Sequence, residues 1–303
     1  MQSERAAGAN RVEARRPGFS DPNDLLTLVH GRPQRARYTR LMLFAAVQND
    51  IAWQDPRTSR LGIERLLDQA NLPAGAFALL PELCDVGFTI DVGGVTPSDA
   101  PAWAASQAQR RDMHLAVGYP RRADDGFGRN ECVIARPDGT LSPAYAKVHP
   151  FGIGRETEAY RGGDRIVLVS VGPFTACPLV CYDLRFPELW RLAALAGADL
   201  FVIGASWPSA RQAHWRSLLI ARAIENQAYV VASNRVGDDP TLHYAGGSMI
   251  VAPTGNVLAE GSDVASVISA ECDAEALVAW RRKFPALRDV NARLLGAIEI
   301  VRA

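Results

Sequence analysis

Lysine is nearly absent from this chain: of 33 basic residues only Lys147 and Lys283 are not arginine. Net charge is also missing, because 33 acidic residues balance them, and this removes the global case for nucleic acid or an anionic membrane as partner. No apolar run approaches the roughly 20 residues needed to span a bilayer. No G-x-G-x-x-G follows the first strand-like run and no Walker loop occurs, so the phosphate cradle of a nucleotide-binding protein is lacking. Cysteine is sparse and odd in number: Cys84, Cys132, Cys177, Cys181 and Cys272. With no secretory signal legible, these read as reduced thiols in a cytoplasmic protein. Cys177 and Cys181 are four apart, but no second pair follows, which argues against zinc; no metal or organic cofactor is expected.

What is present is apolar patterning. The chain has 303 residues, 48% of them hydrophobic, enough for a large core. Residues 1–39 stand apart as an Arg-rich, proline-broken extension read as flexible. Residues 40–303 read as one domain with a C-terminal tail. From Leu41 short apolar runs alternate with helical periodicity. Strands are expected at 41–47, 76–80, 114–119, 165–171, 174–180, 200–205 and 229–234. Helices are expected at 58–70, with Thr58 or Ser59 as cap, and at 100–111, 188–196 and 212–226. Hairpins are expected around Pro137-Asp138-Gly139-Thr140 and Pro253-Thr254-Gly255, and Val267 to Ala270 closes the sheet region. This alternation fits a mixed α/β domain of several layers.

Three groups with complementary chemistry stand at the ends of such strands. Glu82 follows Ala76 to Leu80 and Pro81. Lys147 ends the run from Leu141. Cys181 follows Phe174 to Val180 and precedes Tyr182-Asp183-Leu184-Arg185-Phe186-Pro187-Glu188. A strand-end Glu is ordinarily a solvated cap, a Lys a surface charge and a Cys a core filler. Converging on one crevice, the three would form a hydrolytic set. Glu82 would take the thiol proton and return it to a leaving amine, and Cys181 would attack a carbonyl or nitrile carbon. Lys147 and the Tyr182 N–H would stabilise the oxyanion. Lysine, a compact point charge, suits that place better than arginine in a chain that otherwise prefers arginine. A helix starting beyond Cys181 would lower the thiol pKa through its positive end.

In their order, spacing and flanks, Leu80-Pro81-Glu82, Tyr145-Ala146-Lys147-Val148-His149 and Val180-Cys181-Tyr182-Asp183-Leu184-Arg185-Phe186-Pro187-Glu188 resemble the nitrilase superfamily of carbon–nitrogen hydrolases. The likeness runs from about Leu41 to about Pro285. It implies a Glu-Lys-Cys hydrolase on a four-layer αββα sandwich, commonly paired through its outer helices into a homodimer. It also implies a second glutamate, Glu156 by its distance from Gly162-Gly163-Asp164, with Glu158 as competitor. Segments Gly204 to Arg211, Ala221 to Tyr229, Ser233 to Gly237 and Arg282 to Ala286 are similar to the omega-amidase branch. That branch hydrolyses the terminal amide of 2-oxoglutaramate or 2-oxosuccinamate, with water as second substrate, and releases ammonia. Two departures bear on the pocket mouth: Pro178-Leu179-Val180 where a glycine two before the nucleophile is usual, and Pro150 where leucine is usual. Other superfamily activities, on nitriles, N-carbamoyl compounds or other amides, share the triad. A catalytically idle binding protein on the same fold would have lost one of its members.

Further candidates line up around these motifs. Tyr182, Phe88 and Trp207 are candidates for the pocket lining. Arg185 and Arg211 are candidates to pair with a substrate carboxylate, though Arg185 could equally pair with Glu188 or Asp183. His149 reads as a supporting residue, since the scheme needs no histidine. Glu225 and Asn226 read as buried polar contacts or dimer residues.

Overall fold

The computed structural model describes residues 41–295 and 299–302. The expectation for residues 1–39 lies outside them. Among the described residues the strands form two large sheets and one small hairpin. The first sheet runs in the order β14 (Ser266–Asp273), β1 (Leu41–Gln48), β2 (Phe77–Leu79), β3 (His114–Arg122), β4 (Gly128–Ala135) and β5 (Tyr145–Ala146). The second runs β13 (Val257–Glu260), β12 (Met249–Val251), β9 (Tyr229–Asn234), β8 (Leu200–Ala205), β7 (Phe174–Val180), β6 (Arg165–Val171) and β15 (Glu299–Arg302). The hairpin pairs β10 (Val236–Asp238) with β11 (His243–Ala245).

Alternation along β1 shows why the sheets stack. Side chains of successive strand residues point to opposite faces. Met42, Phe44 and Ala46 therefore enter the core between the sheets, and the Phe44 ring meets Phe174 of β7 edge-on at 5.3 Å. Ala45 and Val47 face the other way. They pack with Ile63 and Leu67 of helix α1 (Pro56–Ala70) and with Ala100, Ala104 and Ala108 of α3 (Ala100–Arg111); a four-residue turn, α2 (Val92–Val95), lies between these helices in sequence. The second sheet is covered on its far face by Leu189, Trp190 and Ala193 of α5 (Pro187–Leu195) and by Trp215, Leu219 and Ala223 of α6 (Gln212–Asn226). The result is helix, sheet, sheet, helix: the four-layer sandwich. The remaining helices are the single turn α4 (Glu156–Ala159) and α7 (Ala274–Lys283).

Three local expectations need correction. The cap of α1 is Asp55, whose carboxylate accepts the Thr58 N–H at 3.0 Å and the Thr58 hydroxyl at 2.6 Å; Pro56 then starts the helix. The run at 267–270 is an eight-residue strand, β14, and it pairs antiparallel with β1 of the first sheet. The sheet order places it at the edge of that sheet, while its sequence neighbours β12 and β13 belong to the other sheet and pack against it. The run expected from 141 to 147 is a strand only at Tyr145–Ala146, because Ala135 bridges Leu141 and pairing resumes at Cys132 with Tyr145. The Arg136–Thr140 turn itself forms as expected, closed by Arg136 N–H to Thr140 C=O at 2.8 Å.

Candidate active site

The site forms where strand ends of the two sheets meet. Glu82 follows β2 and Lys147 follows β5, both in the first sheet; Cys181 follows β7 and Ser206 follows β8, both in the second. Glu82 sits in a turn squeezed between the sheets. A Cβ on Gly118 of β3 would lie 2.9 Å from the Leu83 nitrogen, and one on Gly204 of β8 would lie 2.6 Å from the Leu80 oxygen. The turn can come this close only because both neighbours lack side chains. Leu83 takes φ +45° directly after Glu82, and Cys181 takes φ +44°. Both are left-handed conformations that a non-glycine residue holds only when its surroundings fix them.

Lys147 is 1% exposed and lies between two carboxylates. Its ammonium donates to Glu82 Oε1 at 2.7 Å and to Glu156 Oε2 at 2.8 Å. Asn130 Nδ2 repeats the bridge, donating to Glu82 Oε1 at 2.8 Å and Glu156 Oε1 at 3.0 Å. The Ser206 N–H holds Glu82 Oε2 at 3.0 Å, and the Phe151 N–H holds Glu156 Oε2 at 2.6 Å. Burial alone would lower the Lys147 pKa; the facing carboxylates of Glu156 and Glu82 overcome it and keep the ammonium charged well above its ordinary value. Of the two candidate glutamates, Glu156 is the buried partner of this lysine. Glu158 is exposed and pairs with Arg155 at 2.8 Å.

Cys181 opens the pocket side of this cluster and is 8% exposed. Here the expectation of a lowered thiol pKa is overturned. Burial raises it most, the adjacent Glu82 carboxylate raises it further, and Lys147 offsets only part of the rise. Two carboxylates against one ammonium leave the cluster negative, which opposes a second anion at sulfur. The helix expected at 188–196 forms as α5 from Pro187, but a five-residue 3-10 turn, Cys181–Arg185, separates its start from the thiol. The thiol is therefore protonated at rest, with Glu82 beside it to receive its proton.

The turn is tied down from two sides. Asp183, fully buried, accepts the Val180 N–H at 3.1 Å and the Tyr145 hydroxyl at 2.7 Å on Oδ2, and the His149 N–H and Nδ1 on Oδ1, each at 3.0 Å. His149 also stacks on Phe186 with ring centroids 3.6 Å apart, so it supports the turn. Arg222 of α6 donates twice to the Leu184 carbonyl, at 3.1 and 2.8 Å, and once to Glu225 at 2.8 Å; Asn226 bonds the Arg222 carbonyl at 3.0 Å.

Phe88, Tyr182, Arg185, Trp207 and Arg211 all line one pocket together with Cys181 and Ser206. The Phe88 ring covers the Lys147 ammonium at 5.5 Å. Arg185 pairs with neither Glu188 nor Asp183; it lies over Trp207 at 4.7 Å and meets His214 Nδ1 at 3.3 Å. Arg211 lies over Phe151 at 5.5 Å. Among the described residues neither guanidinium meets a carboxylate. Asn130 and the Ser206 backbone were not singled out from sequence. Asn130 is 48 residues from Glu82 and 26 from Glu156, and a polar residue inside a strand run was the one signal available. Phe151, Leu242 and Tyr244 of the lining were missed as well.

The model of the carbon-nitrogen hydrolase family matches residues 43–282. The omega-amidase YafV of Escherichia coli is 34% identical over 249 residues, covering 81% of this chain and 95% of the relative. The 2-oxoglutaramate amidase of Bacillus subtilis is 31% identical over 254 residues, covering 82% and 98%. Among solved structures, a CN-hydrolase superfamily protein of Xanthomonas campestris with an arsenic adduct in its active site superposes with a TM-score of 0.77 at 33% identity, over 83% of this chain and 97% of its own. A mutant amidase of Nesterenkonia sp. in complex with butyramide gives 0.72 at 26% identity, over 84% and 95%. Matched over most of its length by the family model and by relatives covered almost end to end, the chain belongs to the carbon–nitrogen hydrolase family of the nitrilase superfamily and is an amidase.

Proposed function

We propose that this amidase is an omega-amidase that hydrolyses the terminal amide of 2-oxoglutaramate or 2-oxosuccinamate through a thioester on Cys181. What carries the substrate reading is the pocket beside Cys181, where Arg185 and Arg211 stand without a carboxylate partner among the described residues. A 2-oxo acid brings that carboxylate at the end of its chain remote from the amide. The relatives named omega-amidase and 2-oxoglutaramate amidase support the same assignment.

The chemistry follows from the cluster. Glu82 takes the thiol proton as Cys181 Sγ bonds to the amide carbon. The carbonyl oxygen becomes an oxyanion facing the Lys147 ammonium and the Tyr182 N–H. Glu82 then gives its proton to nitrogen, the C–N bond breaks, and ammonia leaves a thioester. Water attacks the thioester while Glu82 takes its proton. The carboxylic acid departs and the proton returns to sulfur. Glu156 and Asn130 hold Lys147 and Glu82 in place throughout. No step calls on a metal or organic cofactor. The same reading takes the enzyme as a cytoplasmic homodimer paired through its outer helices; its five cysteines are free, as a reducing compartment requires.

The test is ammonia release from 2-oxoglutaramate, 2-oxosuccinamate, glutamine, butyramide, aliphatic nitriles and N-carbamoyl amino acids. A site that pairs a carboxylate leaves its cation desolvated with a neutral amide. The 2-oxo acid amides should therefore exceed butyramide in kcat/KM by about 10²-fold or more. Equal or faster turnover of neutral amides, nitriles or carbamoyl compounds would overturn the substrate assignment.

A further inference from the structure

The β10–β11 hairpin takes no part in the chemistry above, yet it supplies one wall of the pocket. Leu242 and Tyr244 line the same pocket as Cys181. Tyr244 is 1% exposed, whereas Leu242, at the hairpin tip, is 39% exposed. A half-open leucine beside a nucleophile is placed where an acyl chain would touch it.

The hairpin is braced at its tip and at both ends. At the tip, the Asp239 carboxylate accepts the N–H groups of Thr241 and Leu242, each at 2.7 Å, and the Thr241 hydroxyl at 2.9 Å. Its other oxygen accepts the Tyr244 hydroxyl at 2.5 Å, and the Asp239 N–H donates to the Leu242 carbonyl at 2.9 Å. At the entry, the Arg235 guanidinium is wholly buried. It donates to the carbonyls of Val236, Ile51 and Asp238 at 3.2, 3.3 and 3.0 Å and to Asp50 at 3.2 Å. It also lies 4.5 Å from the centre of the Tyr244 ring. At the exit, the Gly246 carbonyl accepts Asn234 Nδ2 at 2.8 Å and Gln212 Nε2 at 3.0 Å. Ties of this number fix the hairpin backbone from which Leu242 projects and hold the Tyr244 ring in place.

We propose that Leu242 and Tyr244, held on this braced hairpin, set the length of acyl chain that the site accepts. The class admitted is short, unbranched terminal amides, and longer or branched chains meet a wall that does not yield. The inference rests on the amidase reading of the site but not on a carboxylate at the far end of the substrate. One methylene in such a pocket is worth about 10- to 200-fold in kcat/KM.

The test uses the full-length enzyme and two homologous series: straight-chain neutral amides, and the same chains ending in a 2-oxo acid. Leu242→Ala should raise kcat/KM of the next longer homologue relative to the shorter one by about 10-fold, chiefly through KM. Leu242→Phe should shift the ratio the opposite way. Tyr244→Phe keeps the ring but cuts the tie to Asp239, and should relax the limit in the same direction as Leu242→Ala by a smaller factor. An unchanged length profile in folded Leu242→Ala or in Leu242→Phe overturns the proposal. If the 2-oxo acid series is ignored while neutral amides react, the omega-amidase reading fails, and the neutral series still reads the wall.

Discussion

Lys147 shows what a single residue contributes that composition could foretell. One of two lysines in an arginine-rich chain, it is fully enclosed, with Glu82 and Glu156 at 2.7 and 2.8 Å. A guanidinium is larger and planar and cannot take the same place between the two carboxylates. Lys147→Arg should therefore lower kcat by about 10²- to 10³-fold, the effect of losing one oxyanion donor. Steady-state kinetics on the folded variant would check it; near-normal turnover would put Lys147 outside the chemistry. Glu82, Lys147 and Cys181 stood out together through the order and spacing of three motifs that resemble the nitrilase superfamily; the strand end at each residue alone is an ordinary local signal. The thiol's raised pKa was not legible, because it comes from burial and from Glu82, a residue distant in sequence. The same holds for Asn130, whose two carboxylate partners meet it only in the fold.

At the scale of elements, sequence and structure agree wherever a run is long and bounded by Gly, Pro or a clear change of period. Strands 165–171 and 174–180 flank Gly172-Pro173, and helix 212–226 ends before Gln227 in the left-handed region. The β10–β11 hairpin escaped because its strands have three residues each, too few for alternation to show. The pairing of β14 with β1 escaped because nothing local specifies a partner from the far end of the sequence. Two strands act on the site through what they lack. With Gly204 replaced by alanine, the new Cβ would fall 2.6 Å from the Leu80 carbonyl oxygen and 3.0 Å from the Pro81 carbonyl carbon, both backbone atoms. Gly204→Ala should thus push the Glu82 turn aside and cut kcat by about 10-fold or more, with a stability loss of about 1–3 kcal/mol. Gly62→Ala on α1 meets nothing within 4 Å and is the control: unchanged kinetics and a gain of about 0.5–1 kcal/mol in denaturant unfolding. Equal kinetics for both variants would contradict the account of the Glu82 turn.

For the whole molecule, the buried thiols impose a pH dependence on stability. Burial pushes Cys132 from 9.0 up to about 12, and raises Cys84, Cys177, Cys181 and Cys272 as well. The folded protein then keeps protons that the unfolded chain releases above about pH 9. Unfolding is accompanied by proton release, so its free energy falls as pH rises, by about 1.4 kcal/mol per pH unit for each such thiol. Lys147 and Tyr145, both raised, act with the same sign. Urea midpoints should be nearly flat from pH 7 to about 8 and fall with growing slope from about pH 8.5 upward; a midpoint that stays level into that range would contradict the buried, protonated state of these groups. The same enclosure directs chemistry to one sulfur, since Cys181 alone among the five lines this pocket. The decisive measurement is mass mapping of enzyme acid-quenched during turnover of 2-oxoglutaramate, run beside Cys181→Ala and Cys177→Ala. The account predicts an acyl adduct confined to the peptide bearing Cys181, no adduct and no turnover in Cys181→Ala, and both retained in Cys177→Ala. An adduct on Cys84, Cys132, Cys177 or Cys272, or ammonia release by Cys181→Ala, would contradict it.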